Sequence, residues 1–176
     1  MDRKTICIYG SFSPYVSEEK LKPYYDMGKK LKYDLIYGGG ADSTLGYMAR
    51  GMHDGGAYIT GVYPKAFKDM NVFKGCDKEI VCDSMAERKG HFESEADVFI
   101  VLPGGVGTMD ELFEAIVLIE KYMIEGKVII FNHNGFYDTL LKFMDEMKEQ
   151  GMFHCDLSRV YSVANTFEDI EKMIVK

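Results

Sequence analysis

The sequence predicts an α/β domain of the Rossmann-like, doubly wound kind, a parallel sheet with helices on both faces. Three observations carry that expectation. Short β-branched runs alternate with helical patterns along the whole chain. The runs lack polar alternation, as strands covered on both faces do. Three of them lead into glycine-bearing turns, which in such a sheet lie along the carboxyl edge, where ligands bind.

Thr5–Tyr9 is the first predicted strand. Glu18–Leu31 is helical, with Leu21, Tyr24, Tyr25, Met27 and Leu31 forming an approximate stripe and Pro23 near its start. Asp34–Tyr37 is a short strand running into Gly38-Gly39-Gly40. Thr44–His53 reads as a helix stopped by Asp54-Gly55-Gly56, and Ala57–Val62 as the third strand, closed by Pro64. Lys65–Asp77 is irregular, a loop with a short helical turn, and Glu79–Cys82 a strand. Ser84–Glu95 is a helix opened by a capping box, Ser84 with Glu87. Val98–Leu102 is a strand, Asp110–Ile124 a long helix ending near Gly126, and Lys127–Phe131 a strand. Tyr137–Gln150 is a helix stopped by Gly151; Val160–Ser162 is a short strand and Phe167–Val175 the last helix. No repeat, linker or low-complexity stretch divides residues 1–176, so one domain is expected.

Composition narrows the function classes. A chain of 176 residues with 47% hydrophobic residues can build a core. A formal net charge of -7 with no basic block argues against a dedicated nucleic-acid binder. No run approaches membrane-spanning length, and the apolar run near the N-terminus is too short for a signal peptide, so a soluble cytoplasmic protein is expected. Cys7, Cys76, Cys82 and Cys155 form no C-x-x-C pair, and Cys7 reads as a reduced, buried thiol. The histidines His53, His91, His133 and His154 show no metal-ligand spacing, so no metal is expected.

The most informative stretch is Leu102-Pro103-Gly104-Gly105-Val106-Gly107-Thr108-Met109-Asp110-Glu111. A strand, a glycine-rich turn and a helix start follow one another. Glycines let the backbone approach a ligand, and a helix start offers unpaired N–H groups to a phosphate. Gly10-Ser11 and Gly38-Gly39-Gly40 belong to the same edge; tight turns alone also call for glycine, but Gly104, Gly105 and Gly107 exceed what one turn needs. The dinucleotide loop G-x-G-x-x-G fails at Asp110, and no P-loop Gly-Lys-Ser/Thr exists. Glu111, placed in the first helical turn, fits two roles equally: a carboxylate beside the ligand, or the partner of Thr108 in a Thr-x-x-Glu capping box. Arg88-Lys89 alone reads as a solvated helix face. His133 reads as a turn residue with Asn132 and Asn134, although it lies on the ligand edge. The helix Asp110–Ile124 is apolar nearly all round (Leu112, Phe113, Ile116, Val117, Leu118, Ile119, Tyr122, Met123, Ile124), which favours a homodimer interface over an unusually deep core helix.

Together these residues resemble a known family. Pro103–Glu111 is similar to the P-G-G-x-G-T-x-x-E signature of the LONELY GUY family, cytokinin-activating nucleoside 5′-monophosphate phosphoribohydrolases. Met85-Ala86-Glu87-Arg88-Lys89 resembles its M-x-x-R-K element. Tyr37-Gly38-Gly39-Gly40 with Gly46 resembles its second glycine motif, Gly61-Val62-Tyr63-Pro64 its G-V-I-P, and Gly10-Ser11 its first-strand G-S. The likeness covers roughly Thr5 to Phe153. It implies a Rossmann-like fold, a homodimer, and hydrolysis of the N-glycosidic bond of a nucleotide such as AMP or a cytokinin riboside monophosphate to free base and ribose 5-phosphate. It further implies Arg88 and Glu111 as the catalytic pair. Lys89 and the loop Gly104, Gly105, Val106, Gly107 and Thr108 become phosphate and sugar binders, joined by Gly10, Ser11, Gly39 and Gly40. No cofactor is implied, and nothing supports the "lysine decarboxylase" label that many members carry, since no Schiff-base lysine stands out. Two departures are visible: Ser43 replaces a glycine of the second motif, and Lys65–Asp77 lacks a Glu common in the family. A non-catalytic nucleotide or molybdenum-cofactor carrier is the alternative, since relatives on a similar fold bind that cofactor.

Overall fold

The computed structural model describes residues 3–11, 17–67, 71–153 and 155–175. His154 lies outside them, as does part of the loop 65–77. In chain order the elements are β1 (Thr5–Tyr9), α1 (Glu18–Lys30), β2 (Asp34–Tyr37), α2 (Ser43–Asp54), β3 (Ile59–Pro64), β4 (Lys78–Cys82), α3 (Met85–Glu95), β5 (Val98–Val101), α4 (Val106–Glu120), β6 (Lys127–Phe131), α5 (Asp138–Glu149), β7 (Tyr161–Ala164) and α6 (Phe167–Val175). Short 3-10 turns occupy Lys65–Phe67, His133–Gly135 and Leu157–Arg159.

All seven strands pair in parallel, in the order β4-β3-β2-β1-β5-β6-β7. The chain winds outward from β1 to β4, then crosses back to place β5 on the other side of β1. The expected doubly wound α/β fold is therefore present. Its switch point lies between β1 and β5, where such sheets open a crevice at the carboxyl edge. Tyr24, Met27, Met48, Met52, Ile170 and Ile174 pack α1, α2 and α6 on one face. Phe92, Leu112, Ile116, Ile119 and Met144 pack α3, α4 and α5 on the other. Central strands buried on both sides read as the continuous apolar runs seen in the sequence.

Most element bounds lie within two residues of expectation; α4 does not. It spans Val106–Glu120 rather than Asp110–Ile124. Gly105, extended at φ -95°, ψ -155°, is the residue before the helix, and the first helical bond runs from the Met109 N–H to the Gly105 carbonyl (3.1 Å). At the other end Tyr122 takes φ +57°. Its N–H bonds the Ile119 carbonyl (3.1 Å), and the Met123 N–H bonds that of Leu118 (2.9 Å). This is a Schellman stop with tyrosine in the place glycine usually fills. Tyr122, Met123 and Ile124 therefore lie past the helix, and α4 buries one side only, through Leu112, Ala115, Ile116 and Ile119. The capping box at Ser84 forms: its hydroxyl accepts from the Glu87 N–H (3.1 Å), while Glu87 accepts from the Asp83 N–H (2.8 Å).

The departure at Ser43 has a physical reading. Ser43 sits at φ +58°, the left-handed region that costs a β-carbon-bearing residue roughly 1–2 kcal/mol. Its hydroxyl is buried with no partner among the described residues. Glycine relieves both penalties and returns part of the gain as unfolded-state entropy, about 0.5–1 kcal/mol. We expect Ser43→Gly to stabilise the protein by about 1 kcal/mol, read as a melting temperature higher by roughly 2–4 °C. Gly46 is fixed more rigidly, because a Cβ there would lie 2.0 Å from the Ala41 backbone.

Candidate active site

Two helices bring the chemistry together. Arg88 lies in the first turn of α3, after β4, and Glu111 in the second turn of α4, after β5. The Arg88 Nη1 donates to Glu111 Oε1 at 2.7 Å, and the two side chains are only 12% and 9% exposed. Glu111 thus faces Arg88 rather than capping its own helix, and the Thr108–Glu111 capping box is replaced by this pair because the helix starts at Val106. Arg88 is held from other sides too. Its Nε donates to the Val62 carbonyl (3.2 Å), and its Cζ stands 4.8 Å from the Phe92 ring centre. A Cβ on Gly38 would lie 2.3 Å from Nη2, so only glycine leaves room for the guanidinium. The solvated-face reading of Arg88 is corrected by these contacts.

Burial pushes the Glu111 carboxyl above the usual range, and the adjacent guanidinium opposes that shift. Ionising Glu111 in the fold therefore costs stability as pH rises through its folded pKa. Cys7 and Tyr9, on β1 near the pair, are both raised by burial first and by Glu111 among the smaller causes.

A cavity of about 390 Å³ opens over the pair. It is lined by Ile8, Gly10, Ser11, Leu45, Phe67 and Met85, by Arg88 and Glu111, and by Gly105, Val106, Gly107 and Thr108. The amides of Gly105–Thr108 have no intrahelical acceptor, and Gly105 brings no capping side chain. The loop is tied to the first strand: the Ser11 N–H bonds the Pro103 carbonyl (3.3 Å) and the Leu102 N–H that of Tyr9 (2.9 Å). A second lobe of about 290 Å³ shares Leu45, Phe67 and Arg88 with the first. Gly38, Gly40, Ala41, Asp42, Tyr63, Asn71 and Val72 complete it. Arg88 thus stands between the lobe that holds the α4 amides and one walled by Tyr63, Asn71 and Val72.

Other expected residues fall elsewhere. Lys89 does not line either lobe; its Nζ binds Asp110 (3.0 Å) and Glu114, clamping α3 to α4. Gly39, at φ +76°, packs under the Tyr63 ring. Gly104 lies against Thr108, where a Cβ would meet Oγ1 at 2.1 Å, and borders a separate cleft with Ser11, Lys20, Pro103 and His133. His133 sits in the expected turn and lines that cleft rather than either lobe. Leu45, Phe67, Asn71 and Val72 carry no motif, and no sequence signal placed them in the pocket, whereas Met85 opens the M-x-x-R-K element.

A family model described as "Possible lysine decarboxylase" matches residues 45–174. LOG4 of Arabidopsis thaliana, a cytokinin riboside 5′-monophosphate phosphoribohydrolase, is 30% identical over 174 residues, covering 96% of this chain and 80% of that one. The chain belongs to the LONELY GUY (LOG) family. LOG of Oryza sativa subsp. japonica, also a cytokinin riboside 5′-monophosphate phosphoribohydrolase, is 32% identical over 171 residues, covering 95% of this chain and 71% of that one. Solved structures extend the fold beyond LOG proteins. A molybdenum cofactor carrier protein of Chlamydomonas reinhardtii superposes with a TM-score of 0.72 at 17% identity, covering 99% of this chain and 96% of that one. A molybdenum cofactor binding protein of Rippkaea orientalis gives 0.69 at 18%, covering 99% and 97%. At those identities the likeness concerns the fold alone. Among the described residues of this LOG-family chain, no helix is long and apolar enough to cross a membrane.

Proposed function

We propose that this chain hydrolyses the N-glycosidic bond of nucleoside 5′-monophosphates, releasing free base and ribose 5-phosphate. The observation that carries the reading is the buried Arg88–Glu111 pair beside the free amides of α4. The 5′-phosphate docks on the N–H groups of Gly105–Thr108, as anions do at helix starts. The ribose then lies over Glu111, and the base passes Arg88 into the second lobe.

Cleavage of such a bond builds positive charge on the sugar, as in glycoside hydrolysis. Glu111 stabilises that charge and orients water. The water oxygen bonds C1′ and gives up one proton, the C1′–N bond breaks, and its electron pair leaves with the base, which takes up a proton, so that one water is consumed overall. Arg88 opposes the burial that raises Glu111, orients it, and offers its remaining N–H groups to the substrate; permanently charged, it works as an electrostatic clamp. AMP and isopentenyladenosine monophosphate are the substrates to test. Chromatography of either with the folded protein is expected to show free base and ribose 5-phosphate. Binding without release of base from any nucleoside monophosphate would overturn the reading and favour a carrier. Because burial raises the Glu111 carboxyl, we also expect the acid limb of kcat/KM to lie above the ordinary glutamate value of about 4.3. A profile flat through that region would remove Glu111 from the reaction.

We further infer a homodimer. Val106, Val117, Tyr122 and Met123 are 88%, 48%, 78% and 69% exposed along and just past α4. Large apolar side chains left exposed at both ends of one helix of a small domain suit an interaction face.

A further inference from the structure

Cys82 ends β4, and Glu87 and His91 stand four residues apart on α3, on either side of Arg88 in sequence. Their sulfur, carboxylate oxygen and ring nitrogen all lie within 4.8 Å of one another. We propose that Cys82, Glu87 and His91 form a binding site for a zinc-type divalent ion. The reading is independent of the hydrolase reading.

The donor set selects the metal. A thiolate, an imidazole and a carboxylate suit Zn²⁺, whereas Mg²⁺ and Ca²⁺ take oxygen ligands. Ligands held about 2.0–2.3 Å from one ion stand roughly 3–4 Å apart, so small side-chain rotations close the set. Three protein ligands leave the fourth tetrahedral position to water.

Neighbouring groups orient two of the three donors. Glu87 uses one carboxylate oxygen on the Asp83 N–H (2.8 Å), which fixes the side chain and leaves the second oxygen. Glu95 lies 3.4 Å from His91 Nδ1. A proton shared there leaves the lone pair on Nε2, the carboxylate–histidine arrangement common around zinc. All four cysteines are free thiols, and Cys82 is fully buried at the base of the cluster. On binding, the Cys82 S–H proton passes to solvent as the sulfur–metal bond forms. A bound ion would tie the end of β4 to α3 and so brace the helix that carries Arg88. The histidine spacings in the sequence gave no hint of this, because the third donor comes from a strand.

The test is an anaerobic titration of the full chain with Co²⁺, followed by absorbance. The unmodified protein is expected to develop a thiolate-to-cobalt charge-transfer band, and Cys82→Ser to lose it. His91→Ala, at a partly exposed helical position that leaves the core intact, is expected to bind Co²⁺ about tenfold more weakly or worse. The proposal is overturned by absence of the band in the unmodified protein, by its survival in Cys82→Ser, or by unchanged affinity in His91→Ala. Loss of base release in the same protein with the band intact would instead bear only on the hydrolase reading.

Discussion

Glu111→Gln is expected to lower the rate of base release by about 100- to 1,000-fold while the fold persists. Glutamine keeps the shape and can still accept a hydrogen bond from Arg88 Nη1, now 2.7 Å from the carboxylate. What it removes is the negative charge facing the sugar, which matters only as positive charge develops there. The loss should therefore appear in kcat more than in KM. Removing a buried anion also lifts the cost of ionising it, while leaving Arg88 without its counter-charge; these effects oppose one another, so the melting temperature should move little. Steady-state kinetics and a thermal melt on the same preparation test both halves. Unchanged kcat in a folded variant would reduce Glu111 to a structural partner of Arg88.

Gly38→Ala should have an effect nearly as large, although the residue has no chemistry of its own. The added Cβ would lie 2.3 Å from Arg88 Nη2. An exposed arginine would swing aside at little cost, but this one is held by the Val62 carbonyl, Glu111 and the Phe92 ring. The guanidinium must leave at least one of these partners. A displacement near 1 Å at a site of this kind costs on the order of 100-fold in rate. Turnover of AMP should fall by about that factor. A crystal structure of the variant should show Arg88 moved relative to Glu111. Full activity would mean that the position of the guanidinium does not limit the reaction.

Much of the fold was legible because it rests on local signals. β1, β2 and β6 have the bounds that their apolar runs suggest, and the glycine stop after α2 lies where Gly55 and Gly56 place it, Gly56 at φ +84°. The three glycine turns do share one edge, since every strand runs the same way. Misreadings came where a local pattern competed with tertiary contacts. Thr108-x-x-Glu111 satisfies the capping rule, yet the buried guanidinium of Arg88 offers Glu111 a stronger partner than a backbone N–H. Gly105 and Gly107 read as loop, but a helix start tolerates glycine. Nothing in the local sequence marks Tyr122 for a left-handed conformation, so the apolar pattern runs on to Ile124 past the true end of α4 at Glu120. Lys89 follows Arg88 in a motif, and a helix turns neighbours about 100° apart, which sends its ammonium to Asp110 and Glu114 instead of the pocket. Pocket walls from Phe67, Asn71 and Val72 were invisible because irregular segments carry no periodicity.

The placement of β5 beside β1 has a kinetic corollary. Arg88 lies on α3, the connection that carries the chain from β4 back across the sheet to β5, and Glu111 on α4, in the half that follows. Neither half alone can hold the ion pair, so during refolding the two charges meet only after the crossover has closed. Helical signal and hydrophobic collapse would precede competence, and the reaction itself would report the last long-range docking event rather than the first.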